Sequence, residues 1–230
     1  MIYNKLDLAQ LAAGLTRPFY LEQIARLDHF AIYLYLARGT VGHHRHQTQD
    51  ELFYVIGGTL RIESEWGNVV LREGELTVIP RGVEHASGSL LNTTVLLAQA
   101  QSDPERKNGH GRIKVDEHQQ SLSKWSPREE VHGTNQPFFS ISLAQVDEIA
   151  VRATWCQGVV GWHRHSEHDE LLLAVDGQLE IGTEQGSFTL MPNEMVIVPR
   201  NRVHRLSTLK QTLLLSLIHS EVSASEQMGH

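Results

Sequence analysis

The chain has 230 residues, one cysteine, 14 histidines and a formal net charge of −7. That balance has the wrong sign for neutralising nucleic-acid phosphates or for docking on anionic lipid, so neither nucleic acid nor membrane is an expected partner. Cys156 alone permits no internal disulfide and no cysteine-rich zinc site, and the longest apolar stretches, such as 212–218, fall well short of the ~18 residues of a spanning helix.

Asp7 and Gln10 interrupt the stretch where a signal peptide wants an unbroken apolar run, so a cytoplasmic protein is expected. Residues 7–15 and 21–27 read as short helices. Segments rich in Val, Ile, Leu and Tyr then follow at 32–37, 52–56, 59–63, 68–71, 76–79 and 94–98. Gly57-Gly58, Trp66-Gly67-Asn68, Glu73-Gly74 and Pro80-Arg81-Gly82 separate them as turns. A polar stretch at 102–111 reads as a linker and 116–123 as a third short helix. Strand-like segments resume at 171–175, 179–182, 187–190, 195–198 and 212–218, and 221–230 is a polar tail. Many short strands at close spacing predict an all-β sandwich or barrel.

The histidines are present at roughly two to three times ordinary usage, and they are arranged. His44-Arg45-His46 recurs as His163-Arg164-His165, Asp50-Glu51-Leu52 as Asp169-Glu170-Leu171, Gly58 as Gly177, Pro80-Arg81 as Pro199-Arg200, and His85 as His204. The offset is 119 throughout, with no gap from Gly39 to His85. Such a constant offset means two copies of one unit. The expected division is an N-terminal barrel at 1–102, a linker at 103–111, a C-terminal barrel at 112–220 and a tail at 221–230. Lys5-Leu6-Asp7 resembles Lys114-Val115-Asp116 at a different offset, which would give the second copy about ten extra residues at its start.

Each copy carries four metal-ligand candidates: His44, His46, Glu51 and His85, then His163, His165, Glu170 and His204. Residues i and i+2 of a strand share a face, so each His-x-His pair aims both imidazoles into one space. Three imidazoles and a carboxylate suit a divalent first-row metal and leave positions open for substrate. Glu51 and Glu170 are candidates either as ligands or as general bases. Arg45 and Arg164 alternate with the ligands and should point outward into salt bridges. His43 and His168 read as surface or supporting residues, and Cys156 as an ordinary buried thiol. Tyr33, Tyr35 and Arg38 face Arg152, Thr154 and Gln157 across the repeat. If they line the interior, the two cavities differ in polarity; otherwise they belong to an outer wall.

The spacing resembles the two motifs of the cupin family. Gly39, His44-x-His46, Glu51 and Gly58 fit the first; Gly74, Pro80-x-Gly82 and His85 fit the second. The second copy repeats this with Gly158, His163-x-His165, Glu170 and Gly177, then Asn193, Pro199-x-Asn201 and His204. The spacer after the leading glycine is one residue short, Ser89 and Thr208 stand where the family has Asn, and Asn193 and Asn201 replace turn glycines. Asn tolerates left-handed backbone, so those turns should survive.

The resemblance implies a bicupin: two tandem jelly-roll-like, double-stranded β-helix barrels with a few short helices. It implies one divalent transition metal per barrel (Fe, Mn, Ni, Co, Cu or Zn), a small-molecule substrate or ligand, and a homodimer. The family spans many reactions, so three functions stay open: a metal-dependent, dioxygenase-like enzyme; a metal-dependent isomerase or lyase; and a non-catalytic small-molecule binder. A structural cupin with vestigial histidines is disfavoured because both sets are intact.

Overall fold

The computed structural model describes residues 3–101, 121–134 and 136–220. In chain order its elements are β1 (Leu6–Asp7), α1 (Leu8–Ala13), β2 (Glu22–Leu27), β3 (Phe30–Thr40), β4 (Glu51–Gly57), β5 (Thr59–Ser64), β6 (Gly67–Arg72), β7 (Leu76–Ile79) and β8 (His85–Ala100). They continue with β9 (Lys124–Trp125), α2 (Pro127–Glu130), β10 (Phe139–Val146), β11 (Ile149–His163), β12 (Glu170–Asp176), β13 (Leu179–Thr183), β14 (Gly186–Leu190), β15 (Glu194–Val198) and β16 (His204–His219). The protein is nearly all β, and among the described residues no helix is long and apolar enough to cross a membrane.

Among the described residues the strands form two eight-stranded sheets. The first runs β2-β3-β8-β4-β7-β9, with β5 on β8 and β6 on β5. The second runs β10-β11-β16-β12-β15-β1, with β13 on β16 and β14 on β13. The long strands serve both layers of their barrel. Residues 94–99 of β8 pair with β4, and 85–88 pair with β5. Register slips between Ala37 and Gly39, where Gly39 has φ 89°, and again between Cys156 and Gly158, φ 92°. These left-handed glycines turn the strand from one layer into the other.

Each barrel encloses its own core. Tyr35, Phe53, Val55, Leu60, Ile62, Val95 and Leu97 cluster in the first; Cys156, Leu172, Ala174, Leu179, Ile181, Leu206 and Leu214 cluster in the second. Gly58 (φ 96°) and Gly177 (φ 79°) show why those positions take no side chain: a Cβ would stand 2.5 Å from the Thr93 hydroxyl and 2.6 Å from that of Thr212. Asn193 and Asn201 occupy left-handed backbone at φ 65° and 61°, so the two glycine replacements preserve their turns.

Three expectations change. Residues 22–27 form a strand, not a helix. Leu21, Ile24 and Leu27 mimic a helical stripe, but the pairing of β2 with β3 slips between Gln23 and Ala25, and that bulge disrupts the alternation of a strand. The helix expected at 116–123 lies mostly outside the described residues. Its described end, 121–123, is not helical, and the short helix α2 begins after Ser126, which caps it with Pro127 at the first turn.

The third change concerns where the copies begin. The 119-residue offset extends back to Lys5 and Lys124, with no extra residues in the second copy. β1 matches β9, the caps Asp7 and Ser126 match, and left-handed Phe19 and Asp28 match Phe138 and Asp147. Lys5 binds Glu194 at 2.8 Å as Lys124 binds Glu75 at 2.9 Å. Yet β1 lies in the second sheet, pairing Leu6 with Met195, and β9 lies in the first, next to β7. By compactness, residues 1–14 group with 125–230 and 15–124 form the other unit. The opening strand of the first copy thus pairs into the second sheet.

Candidate metal centres

In the first barrel β3 ends in the segment carrying His44 and His46, Glu51 opens β4, and His85 opens β8. His44 and His85 exchange backbone hydrogen bonds at 2.9 Å in both directions. The Gly82 N–H donates to the His46 carbonyl, and the Arg81 N–H to Asp50 Oδ1 at 2.9 Å, which fastens the Pro-Arg-Gly turn beside the histidines. The second barrel repeats the clamp: Asn201 N–H donates to the His165 carbonyl and Arg200 N–H to Asp169 Oδ1 at 2.9 Å. Asp50 and Asp169 had no role assigned from sequence, although their recurrence beside the glutamates was the available signal.

The expected ligands converge. One donor atom each from His44, His46, Glu51 and His85 lies within 4.8 Å of all the others, and the same holds for His163, His165 and His204. Glu170 stands outside that second mutual group. It lies beside two of its members, 3.2 Å from His165 Nε2 and 3.6 Å from His204 Nε2.

Four imidazoles have their tautomer set by the backbone. Nδ1 of His44 faces the Gly42 carbonyl at 2.9 Å, His85 faces Val83 at 3.1 Å, His163 faces Gly161 at 2.8 Å and His204 faces Arg202 at 3.0 Å. A carbonyl only accepts, so each Nδ1 carries a proton, and a neutral ring so held presents its lone pair at Nε2. In the first barrel the His85 Nε2 then confronts Glu51 Oε2 at 3.0 Å. Both atoms are buried, and neither has a partner in hydrogen-bonding geometry. Two lone pairs at that distance repel unless a cation, either a proton or a metal, lies between them. His204 Nε2 is likewise buried without a hydrogen-bond partner. The donor set fits a divalent metal: neutral nitrogens with locked tautomers, plus a carboxylate.

Burial raises the Glu51 carboxyl, but the imidazoles of His46 and His85 outweigh it and hold the group down at about 2. Glu170 is held at about 2 in the same way by His165 and His204. Contact with Glu51 raises His46, whereas burial lowers His163. Access differs too: the His46 side chain is 30% exposed and that of His165 is 3%.

The other residues singled out from sequence sort by face. Arg45 pairs outward with Glu84, while Arg164 is exposed with no ion pair among the described residues. His43 is exposed and His168 stacks on His219 at 3.8 Å. Cys156 is fully buried, and that burial pushes its thiol up to about 12. Tyr35 belongs to the inner core and Tyr33 packs against it, whereas Arg38 and Gln157 are exposed. A groove of about 620 Å³ on the first unit, lined by Thr40, Arg61, Val70, Leu90 and Leu91 among others, contains none of the ligand candidates.

Comparison with known proteins agrees with this geometry. Residues 32–94 match the family model described as Cupin domain. The uncharacterized protein YdbB of Bacillus subtilis (strain 168) is 28% identical over 83 residues, which are 36% of this chain and 74% of that one. A cupin 2 conserved barrel domain protein from Leptotrichia buccalis superposes with TM-score 0.72 at 13% identity, covering 94% of this chain and 96% of the other. Salicylate 1,2-dioxygenase from Pseudaminobacter salicylatoxidans gives 0.73 at 11% identity, covering 98% and 86%. At that identity the likeness is one of fold.

Proposed function

We propose that this chain, a cupin by its matched domain and a two-barrel cupin by fold, is a metal-dependent enzyme acting on a small organic molecule in a dioxygenase-like reaction. The observation that carries the reading is the buried His85 Nε2 facing Glu51 Oε2 at 3.0 Å with its Nδ1 committed to a carbonyl. Such a pair calls for a shared cation, and His44 and His46 complete its shell. His163, His165 and His204, with Glu170 alongside, are the equivalent set of the second barrel.

A divalent transition metal bound there supplies Lewis acidity and, where it is redox-active, electrons for dioxygen chemistry. The chain's own groups do the rest. The carbonyls of Gly42, Val83, Gly161 and Arg202 keep the imidazoles oriented. Glu51 and Glu170, both anionic at neutral pH, are positioned to accept a proton from bound substrate. Support for the oxygenase branch is the fold shared with salicylate 1,2-dioxygenase, one structure of which is in complex with gentisate. We also propose that the protein is cytoplasmic and, as the family resemblance implies, a homodimer.

The test is elemental analysis of the full chain, followed by oxygen uptake against catechols, flavonols, β-diketones and hydroxybenzoates. Metal in the protein with uptake on one class is the expected result. Metal-free protein whose melting temperature ignores added Fe²⁺ or Mn²⁺ would refute the reading. Metal without uptake would move the assignment to an isomerase, lyase or binder. Light scattering at defined concentration reads the oligomeric state.

A further inference from the structure

The two barrels share a backbone but differ one row beyond the glutamate. In the second barrel the paired row Ala150, Ile218 and Glu170 is followed by Arg152, Ser216 and Leu172. No register slip separates residues 149 and 156 of β11 from β16. Arg152 therefore shares a face with Cys156, and Leu172 with Glu170. Cys156 and Leu172 both belong to the inner core, so this is the barrel-facing side. The corresponding row of the first barrel is Tyr33, Leu97 and Phe53, which carries no charge.

Arg152 is only partly exposed. Its Nε is buried without a hydrogen-bond partner, and the guanidinium makes no ion pair among the described residues. The nearby carboxylate, Glu170, is engaged with His165 and His204 instead. An arginine placed inside a barrel without an acid is costly, because its buried donor gives up water without a hydrogen bond in return. A carboxylate is the complement of its planar fork, since it accepts two parallel N–H bonds. The buried Ser216 lies directly across the strand pair with a hydroxyl on the same side.

We propose that Arg152, aided by Ser216, is an anion-binding element. On this view the second barrel takes a small carboxylate-bearing ligand, while the first, with no charge in the matching row, has no such element. Arg152 holds the carboxylate and leaves the remainder of the ligand to face the histidine cluster. The proposal deepens the metal-enzyme reading but does not need it, because the guanidinium recognises a carboxylate with or without a metal.

The test is calorimetric titration of the full chain, at measured metal content, with benzoate, pyruvate and benzamide. Wild type should bind at least one carboxylate and bind benzamide at least tenfold more weakly than benzoate. Arg152→Gln should weaken carboxylate binding about tenfold or more, and Arg152→Lys should recover part of it. Tyr33→Phe, at the matching position of the first barrel, should leave it unchanged. The proposal is overturned if Arg152→Gln binds as wild type, if benzamide binds as tightly as benzoate, or if no carboxylate binds. Should Arg152→Gln not fold, an Arg152→Lys protein that keeps its melting temperature and binds carboxylates no more weakly than wild type would equally overturn it. Arg152-dependent binding in a protein that holds no metal and whose melting temperature ignores added Fe²⁺ or Mn²⁺ would sink the metal reading and leave this one standing.

Discussion

The two barrels place eight equivalent residues with the same strands, yet their carboxylates stand differently. Each glutamate adjoins the same two equivalent histidines, Glu51 at 3.3 Å from His46 and 3.0 Å from His85, Glu170 at 3.2 Å from His165 and 3.6 Å from His204, but only Glu51 joins all three histidines in a group within 4.8 Å. The first site is more open, at His46, while the second is enclosed at His165 and has Arg152 in its wall. The difference teaches that backbone hydrogen bonds place the imidazoles almost identically, while the glutamate, on a longer and freer side chain, takes its position from the surrounding interior. Gln99 lies beside Glu51 in its row, where the second barrel has Ile218 beside Glu170.

The sharpest way to break this comparison is to remove the buried histidine that opens β8 or β16. His85→Ala and His204→Ala should each lower metal content from about two ions per chain to about one; a single substitution that empties both sites would show that they are not independent. Next comes the carboxylate. Glu51→Gln should weaken metal binding in its barrel by about 100-fold and Glu170→Gln by only about tenfold, as for a ligand and a supporting group respectively. Equal losses in competitive chelator titrations would erase the distinction.

Acid should separate the sites as well. Protons compete with metal for imidazole. His46 is raised by Glu51 and His163 is lowered by burial, so the first barrel should release its metal at higher pH than the second. In metal-free protein the depressed Glu51 adds stability that is present above its unfolded value near 4.5 and lost as pH falls toward 2. The raised His46 adds stability that is full below its unfolded value near 6.5 and lost as pH climbs through its folded value. The melting temperature of metal-free protein should therefore peak between about pH 4.5 and 6.5.

As scaffolds the barrels should behave alike. Gly58→Ala and Gly177→Ala each force a Cβ against a threonine hydroxyl at positive φ, and each should cost about 2–3 kcal/mol, read by denaturant unfolding. Unequal costs would show that one barrel relaxes more easily. The smallest effect is expected from Asn193→Gly and Asn201→Gly, which keep the left-handed turns and should shift stability by less than about 1 kcal/mol.

Much of this was legible in the chain. The 119-residue offset located the histidines and the strand interiors, because side chains that must converge on one point tolerate no change in spacing. The role of Glu170 was not legible, since spacing places a Cα but not the end of a flexible side chain. Strand β2 was hidden by its bulge. Nor could sequence place Arg152: both faces of β11 are buried over Ile149–Val151, so alternation gave no inside or outside. The true start of each copy was obscured because Lys5 and Lys124 head segments of low identity, Leu-Asp-Leu against Trp-Ser-Pro, whose equivalence lies in capping and pairing.

The pairing of Lys5 with Glu194 spans 189 residues of chain. Residues 5–8 leave the ribosome long before the strand they join. The first sheet can acquire all its strands once residue 125 has emerged, while β1 waits through most of synthesis for β15. A fusion at the N-terminus, or a fragment cut between the repeats, would therefore burden the second barrel rather than the one beside it in sequence.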